Sequence, residues 1–159
     1  MRKLLLFFCI VVWLASCSTI DCPLLSTISV QYVIRDKAGK ALTLTDSLTI
    51  ISIQKSGEIV VLNRLSGKSE FSLPASYSHP EDVLFFRFKD KDTTVVDTVW
   101  MKKDDIPHFE SVDCNASFFH EITDVQYTRH AIDSLILLNR SVTYDQKTTH
   151  FRLVPKSND

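Results

Sequence analysis

Alternation with a period of two, broken every few residues by turn-forming side chains, most narrows what this chain can fold into. Ile28, Val30, Tyr32 and Ile34 alternate with Ser29, Gln31 and Arg35, and Lys37-Ala38-Gly39-Lys40 closes the run. One face of such a run is apolar and the other polar, which is the pattern of a half-buried strand ending in a turn. Leu48–Ile53 and Ile59–Leu65 flank Lys55-Ser56-Gly57-Glu58 as a hairpin, and Ser66-Gly67 ends the second of them. The chain has only 3 glycines, and all fall at these turns, where glycine takes a positive φ without steric penalty.

The second half repeats the style. Phe71-Ser72-Leu73-Pro74 is a short strand stopped by a proline that cannot donate to a ladder. Leu84, Phe86 and Phe88 share one strand face and Val83, Phe85 and Arg87 the other. Lys89-Asp90-Lys91-Asp92 is a polar turn, and Thr93 to Met101 runs back from it. Phe118–Tyr127, Ile132–Leu138 and His150–Val154 complete the candidates, although Ile132, Leu135 and Ile136 also fit a helical face. Seven to nine short strands at hairpin spacing predict an all-β, antiparallel, immunoglobulin-like β-sandwich. A lipocalin-like barrel is the alternative, but barrels carry more glycine at their bends. Trp100 precedes Cys114 rather than lying midway between two cysteines, so the immunoglobulin Cys…Trp…Cys signature is echoed only loosely.

The first sixteen residues follow a different rule. Arg2 and Lys3 precede an apolar run from Leu4 to Leu14, too short to span a bilayer, which takes about 20 residues, but suited to a signal peptide. The run exits through Leu14-Ala15-Ser16-Cys17, which resembles the lipobox of bacterial lipoproteins and implies cleavage after residue 16 and lipidation at Cys17. A plain secretory signal is the alternative. The expected organisation is a signal peptide over 1–16 and one β-sandwich domain with a short N-terminal tether over 17–159. Acyl chains on Cys17 would hold the protein firmly to a membrane. Ser18 after the cysteine, in place of Asp, points by the same resemblance to the outer membrane, with the periplasmic or surface face open.

Cleavage removes Arg2 and Lys3 and leaves 16 basic against 19 acidic side chains. That balance excludes a nucleic-acid binder held by phosphate neutralisation. It also leaves Cys22 and Cys114 as the unlipidated cysteines, expected to form a disulfide in an oxidising compartment. Two separate buried thiols are the alternative.

No sharp catalytic motif is present: no G-x-S-x-G, no H-E-x-x-H and no phosphate-cradling glycine loop. The densest polar segment runs from Asp104 to Cys114 and is followed by His120-Glu121. His108, Glu110, Asp113 and His120 form a candidate polar cluster there, read as part of a solvated loop rather than a metal site, because no ligand spacing selects a geometry. No metal, cofactor or catalytic residue is therefore expected. Phe85-Phe86 and Phe118-Phe119 each send one ring to either side of a strand, and an exposed member could stack on sugars or meet a partner. Asp46-Ser47, Asp92-Thr93, Asp97-Thr98 and Asp133-Ser134 resemble an O-glycosylation sequon of Bacteroides-type bacteria, making Ser47, Thr93, Thr98 and Ser134 candidate acceptors.

Asp21-Cys22-Pro23-Leu24, Ser72-Leu73-Pro74-Ala75-Ser76-Tyr77-Ser78, Pro107-His108-Phe109-Glu110-Ser111-Val112-Asp113-Cys114 and Ala131-Ile132-Asp133-Ser134 together resemble an uncharacterised lipoprotein family of Bacteroides-type Gram-negative bacteria. The resemblance implies compartment and a single domain, and no activity. The expectation is an outer-membrane-anchored lipoprotein that is not an enzyme but a binding or structural module, with an envelope protein or glycan as partner. The alternative is a small hydrolase or metal-dependent enzyme with a site near Pro107–Glu121.

Overall fold

The computed structural model describes residues 28–54, 57–77, 79–109, 111–112, 114 and 116–156. The expected signal peptide over 1–16, and Cys17, Cys22, Glu110 and Asp113, lie outside the described residues. Ten strands form two sheets: β1 (Ser29–Ile34), β2 (Ser47–Gln54), β3 (Gly57–Leu65), β4 (Glu70–Pro74), β5 (Glu81–Lys89), β6 (Thr94–His108), β7 (Ser117–Tyr127), β8 (Ile132–Leu137), β9 (Ser141–Val142) and β10 (Phe151–Pro155). The order is β4-β1-β10-β8 in one sheet and β3-β2-β5-β6-β7-β9 in the other. The all-β sandwich is therefore present, with ten strands among the described residues where seven to nine are expected. β5-β6-β7 form a meander inside one sheet, and β1 runs parallel to β10, the one departure from antiparallel pairing among the described strands.

The core sits where the two inner faces meet. Tyr32 is stacked between its cross-strand neighbours Phe71 and Phe151, with ring centroids 4.7 and 5.0 Å away. Phe86 of the other sheet approaches Tyr32 to 6.2 Å and Phe71 to 6.4 Å at steep angles. Leu84, Phe86 and Phe88 are buried, as the alternation in β5 requires, while Phe85 is half-buried on the other face. Ile132–Leu137 is a strand and not a helix. Its amphipathic pattern is resolved by pairing with β10, including Leu135 opposite Leu153.

Two buried polar residues hold the ends of this core. His150 is fully buried; its Nδ1 accepts the Gln31 amide at 2.9 Å and its Nε2 faces the Ser141 carbonyl at 3.2 Å. Burial pushes its pKa down, outweighing the pull of the Ser141 carbonyl and Asp145 in the other direction, so the neutral ring is the form that fits. Asp97 is likewise fully buried and accepts four hydrogen bonds where the chain leaves β7 for the opposite sheet.

The main departure from expectation is β6. The polar segment from Asp104 onward reads as a loop in the sequence, yet β6 runs on to His108 and pairs through Asp105–His120 to His108–Ser117. Beyond Lys102 no β5 residue pairs with β6, although the Lys103 amide still donates to the Pro80 carbonyl at 2.9 Å. Pro107 lies past the last β5–β6 pair, so its missing N–H takes nothing from that ladder.

Candidate functional site

The alternation that buries Val99 and Met101 continues along β6 and places Lys103 and Asp105 on the same inward face. Beyond the apolar core, the inner face of the larger sheet therefore turns polar. Lys103 has no exposed side-chain surface. Its ammonium donates to the His79 carbonyl at 2.7 Å and to Asp105 Oδ1 at 3.2 Å, with Asp82 Oδ2 at 3.9 Å. Asp105 Oδ1 also meets His120 Nδ1 at 2.7 Å. The result is a chain of groups, Asp82–Lys103–Asp105–His120, laid across β5, β6 and β7.

Their electrostatics follow from burial. Desolvation raises the Asp82 pKa, and the opposing pull of Lys103 and the Ser76 amide does not cancel it. Desolvation lowers the His120 pKa, with Lys103 acting in the same sense and Asp105 against it. His120 is then neutral at pH 7, and the short contact is a ring N–H donating to a carboxylate.

Beside Asp82 a cavity of about 260 Å³ opens, lined among others by Ser52, Gln54, Ser76, Tyr77 and Leu84. Tyr77 is 68% exposed, and one face of its ring is backed by Phe118, with centroids 5.5 Å apart and planes 11° from parallel. The aromatic wall therefore rests on a strand residue.

Of the sequence-derived cluster, His108 and His120 are not brought together. Asp105 and His120 pair directly on the inward side of the β6–β7 hairpin, whereas His108 lies on the outer side. There His108 stacks on Phe119 at 4.3 Å, and Tyr144 meets the Phe119 edge at 5.0 Å while donating its hydroxyl to Ser117 at 2.6 Å. Glu110 and Asp113 lie outside the described residues. Among the described residues no three His, Cys, Asp or Glu side chains are grouped to hold a metal. Cys114 is buried and partnered rather than free; Cys22 is outside the described residues.

Of the four acceptor candidates only Thr93 is exposed, in the β5–β6 turn. Thr98 is half-buried in β6, where its amide donates to Thr128 Oγ1, and Ser47 and Ser134 are half-buried in ladders. Asp82, Lys103, Asp105 and Tyr77 were missed as site residues. The signal available was parity: Lys103 and Asp105 share the face of Val99 and Met101.

A family model described as a family of unknown function (DUF6452) matches residues 47–155. The chain belongs to this family. The DUF6452 segment runs from the first residue of β2 to the last of β10. It holds the whole six-stranded sheet and every residue of the polar chain and the cavity. No curated protein and no solved structure matches the chain.

Proposed function

We propose that this DUF6452 protein is a Bacteroides-type outer-membrane lipoprotein, anchored through Cys17, whose sandwich is a non-catalytic binding module for an envelope saccharide. The observation that carries the binding reading is the cavity beside Asp82 with Tyr77 as its exposed, Phe118-backed wall. A flat ring stacks on the apolar face of a sugar, and Ser52, Gln54 and the buried carboxyl of Asp82 offer the few oriented polar groups that such pockets use. The enzyme alternative near Pro107–Glu121 needs His108 and His120 in one pocket, and they stand on opposite faces of one hairpin.

Titrating isotope-labelled protein with neutral disaccharides is expected to shift the amides of Ser76, Tyr77 and Asp82. Tyr77→Ala should weaken binding about tenfold, equivalent to about 1.4 kcal/mol. A panel that leaves those amides unmoved would refute the saccharide reading.

The anchor rests on Leu14-Ala15-Ser16-Cys17, and the oxidising compartment it implies makes Cys22–Cys114 the proposed disulfide. Cys17→Ala should accumulate as an uncleaved or soluble form, while native protein fractionates with the outer membrane and resists thiol labelling. Mature Cys17→Ala protein still in the outer membrane would sink the anchor. Labelling of both remaining cysteines would sink the disulfide.

A further inference from the structure

Three apolar side chains project from the β6–β7 end of the sandwich: Ile106 is 49% exposed, Phe109 64% and Val112 99%. We infer that this hairpin tip dips into the lipid leaflet that holds the anchor, so that the domain stands on the membrane with its β6–β7 end down. The inference rests on the lipoprotein reading above and adds an orientation and a contact surface to it.

The placement of the chain's beginning supports this. The Ile28 carbonyl, at the entry to β1, accepts the Ala75 amide at 3.1 Å. Two residues on, Tyr77 stacks on Phe118, and Phe118 is paired with Pro107 in the β6–β7 ladder. The point where the chain enters the sandwich and the apolar tip therefore share one end of the molecule. Cys17 precedes Ile28 by 11 residues, a leash of about 36–40 Å at full extension. Were Cys22 bonded to Cys114, the leash from Cys17 would shorten to five residues, about 17–18 Å, and would end in the same connection as Val112. A bilayer is thus held at this end at high effective concentration.

The size of the patch argues for lipid over protein. A stable protein interface covers about 800 Å² on each partner, which three side chains on a hairpin do not supply. Shallow insertion of an aromatic and two aliphatic side chains beside an existing lipid anchor needs no such area.

The test uses lipidated protein in vesicles of phosphatidylethanolamine and phosphatidylglycerol with brominated acyl chains. Phe109→Trp and, separately, Val112→Trp place a fluorophore at the tip, and Lys91→Trp places one at the opposite end of β6. Emission is compared with that of the parent, whose Trp100 is the only tryptophan outside the signal sequence. The tip variants should be quenched about twofold and Lys91→Trp should match the parent. If the protein floats with the vesicles but neither tip variant is quenched more than Lys91→Trp, the orientation is overturned and the anchor stands. If the parent does not float, the anchor fails and the inference fails with it.

Discussion

Replacing Asp97 by alanine should cost about 3–5 kcal/mol of unfolding free energy, a large part of the 5–15 kcal/mol typical of a domain. Asp97 lies on β6, yet its partners lie on the connection from β7 to β8, where the chain passes between sheets. Oδ1 accepts the Thr128 hydroxyl at 2.6 Å and the His130 amide at 2.7 Å; Oδ2 accepts the amides of Ala131 at 2.7 Å and Ile132 at 2.8 Å. Truncation leaves three backbone N–H groups without their acceptor, and each such loss costs about 1–3 kcal/mol when buried. Asp97→Asn is nearly as damaging, because one of its two terminal atoms becomes a donor facing two donors.

The charge has its own signature. Burial alone would raise the Asp97 pKa, but the hydrogen bonds from Thr128, His130, Ile132 and Ala131 outweigh it and hold the carboxyl below its ordinary 3.8. A carboxyl depressed in the folded state stabilises above its unfolded pKa, and that stabilisation is lost as pH falls through the folded value. Urea unfolding should therefore show the Asp97→Ala deficit in full at pH 7 and reduced at the acid limit. A deficit below about 1 kcal/mol for both variants would show that the crossing holds without this carboxylate.

How much of this was legible in the sequence depends on where each residue's partners lie. β5 could be read because one face, Leu84-Phe86-Phe88, is wholly apolar and needs no knowledge of its neighbours. Gly39, Gly57 and Gly67 were placed at turns, and each has a positive φ. β9 could not be read, since two residues carry no period. Asp97 read as half of a sequon because its function is set by amides 33–35 positions away. His108 and His120 looked like one cluster because both occupy the same polar stretch. Which face each takes depends on hairpin register, and register depends on where β6 ends. That end is misplaced in the sequence because the segment from Asp104 onward reads as solvated charge, whereas Asp105 turns inward to pair with Lys103.

Lys103→Met should also cost about 3–5 kcal/mol, the range for breaking a buried ion pair from one side. The methionine side chain fills nearly the same volume, so the loss is electrostatic rather than a cavity. Without the ammonium, Asp82 and Asp105, with 8% and 22% of their side-chain surfaces exposed, face one another's charge with less compensation, and the His79 carbonyl loses its donor. Asp82 gives the effect its pH dependence. Its carboxyl already titrates above the ordinary 3.8 because it is buried, and removing Lys103 takes away the largest opposing influence. A carboxyl whose folded pKa is raised costs stability as it ionises, so the penalty is absent below the unfolded pKa and grows as pH rises through the folded one. Lys103→Met should thus be closer to wild type at pH 5 than at pH 7.5. Adding Asp82→Asn should recover stability, giving a coupling of more than about 1 kcal/mol between the two sites. The competing outcome is a loss under about 1 kcal/mol, independent of pH and additive with Asp82→Asn. It would mean that the lysine reaches solvent along its stem and that the carboxylates do not depend on it.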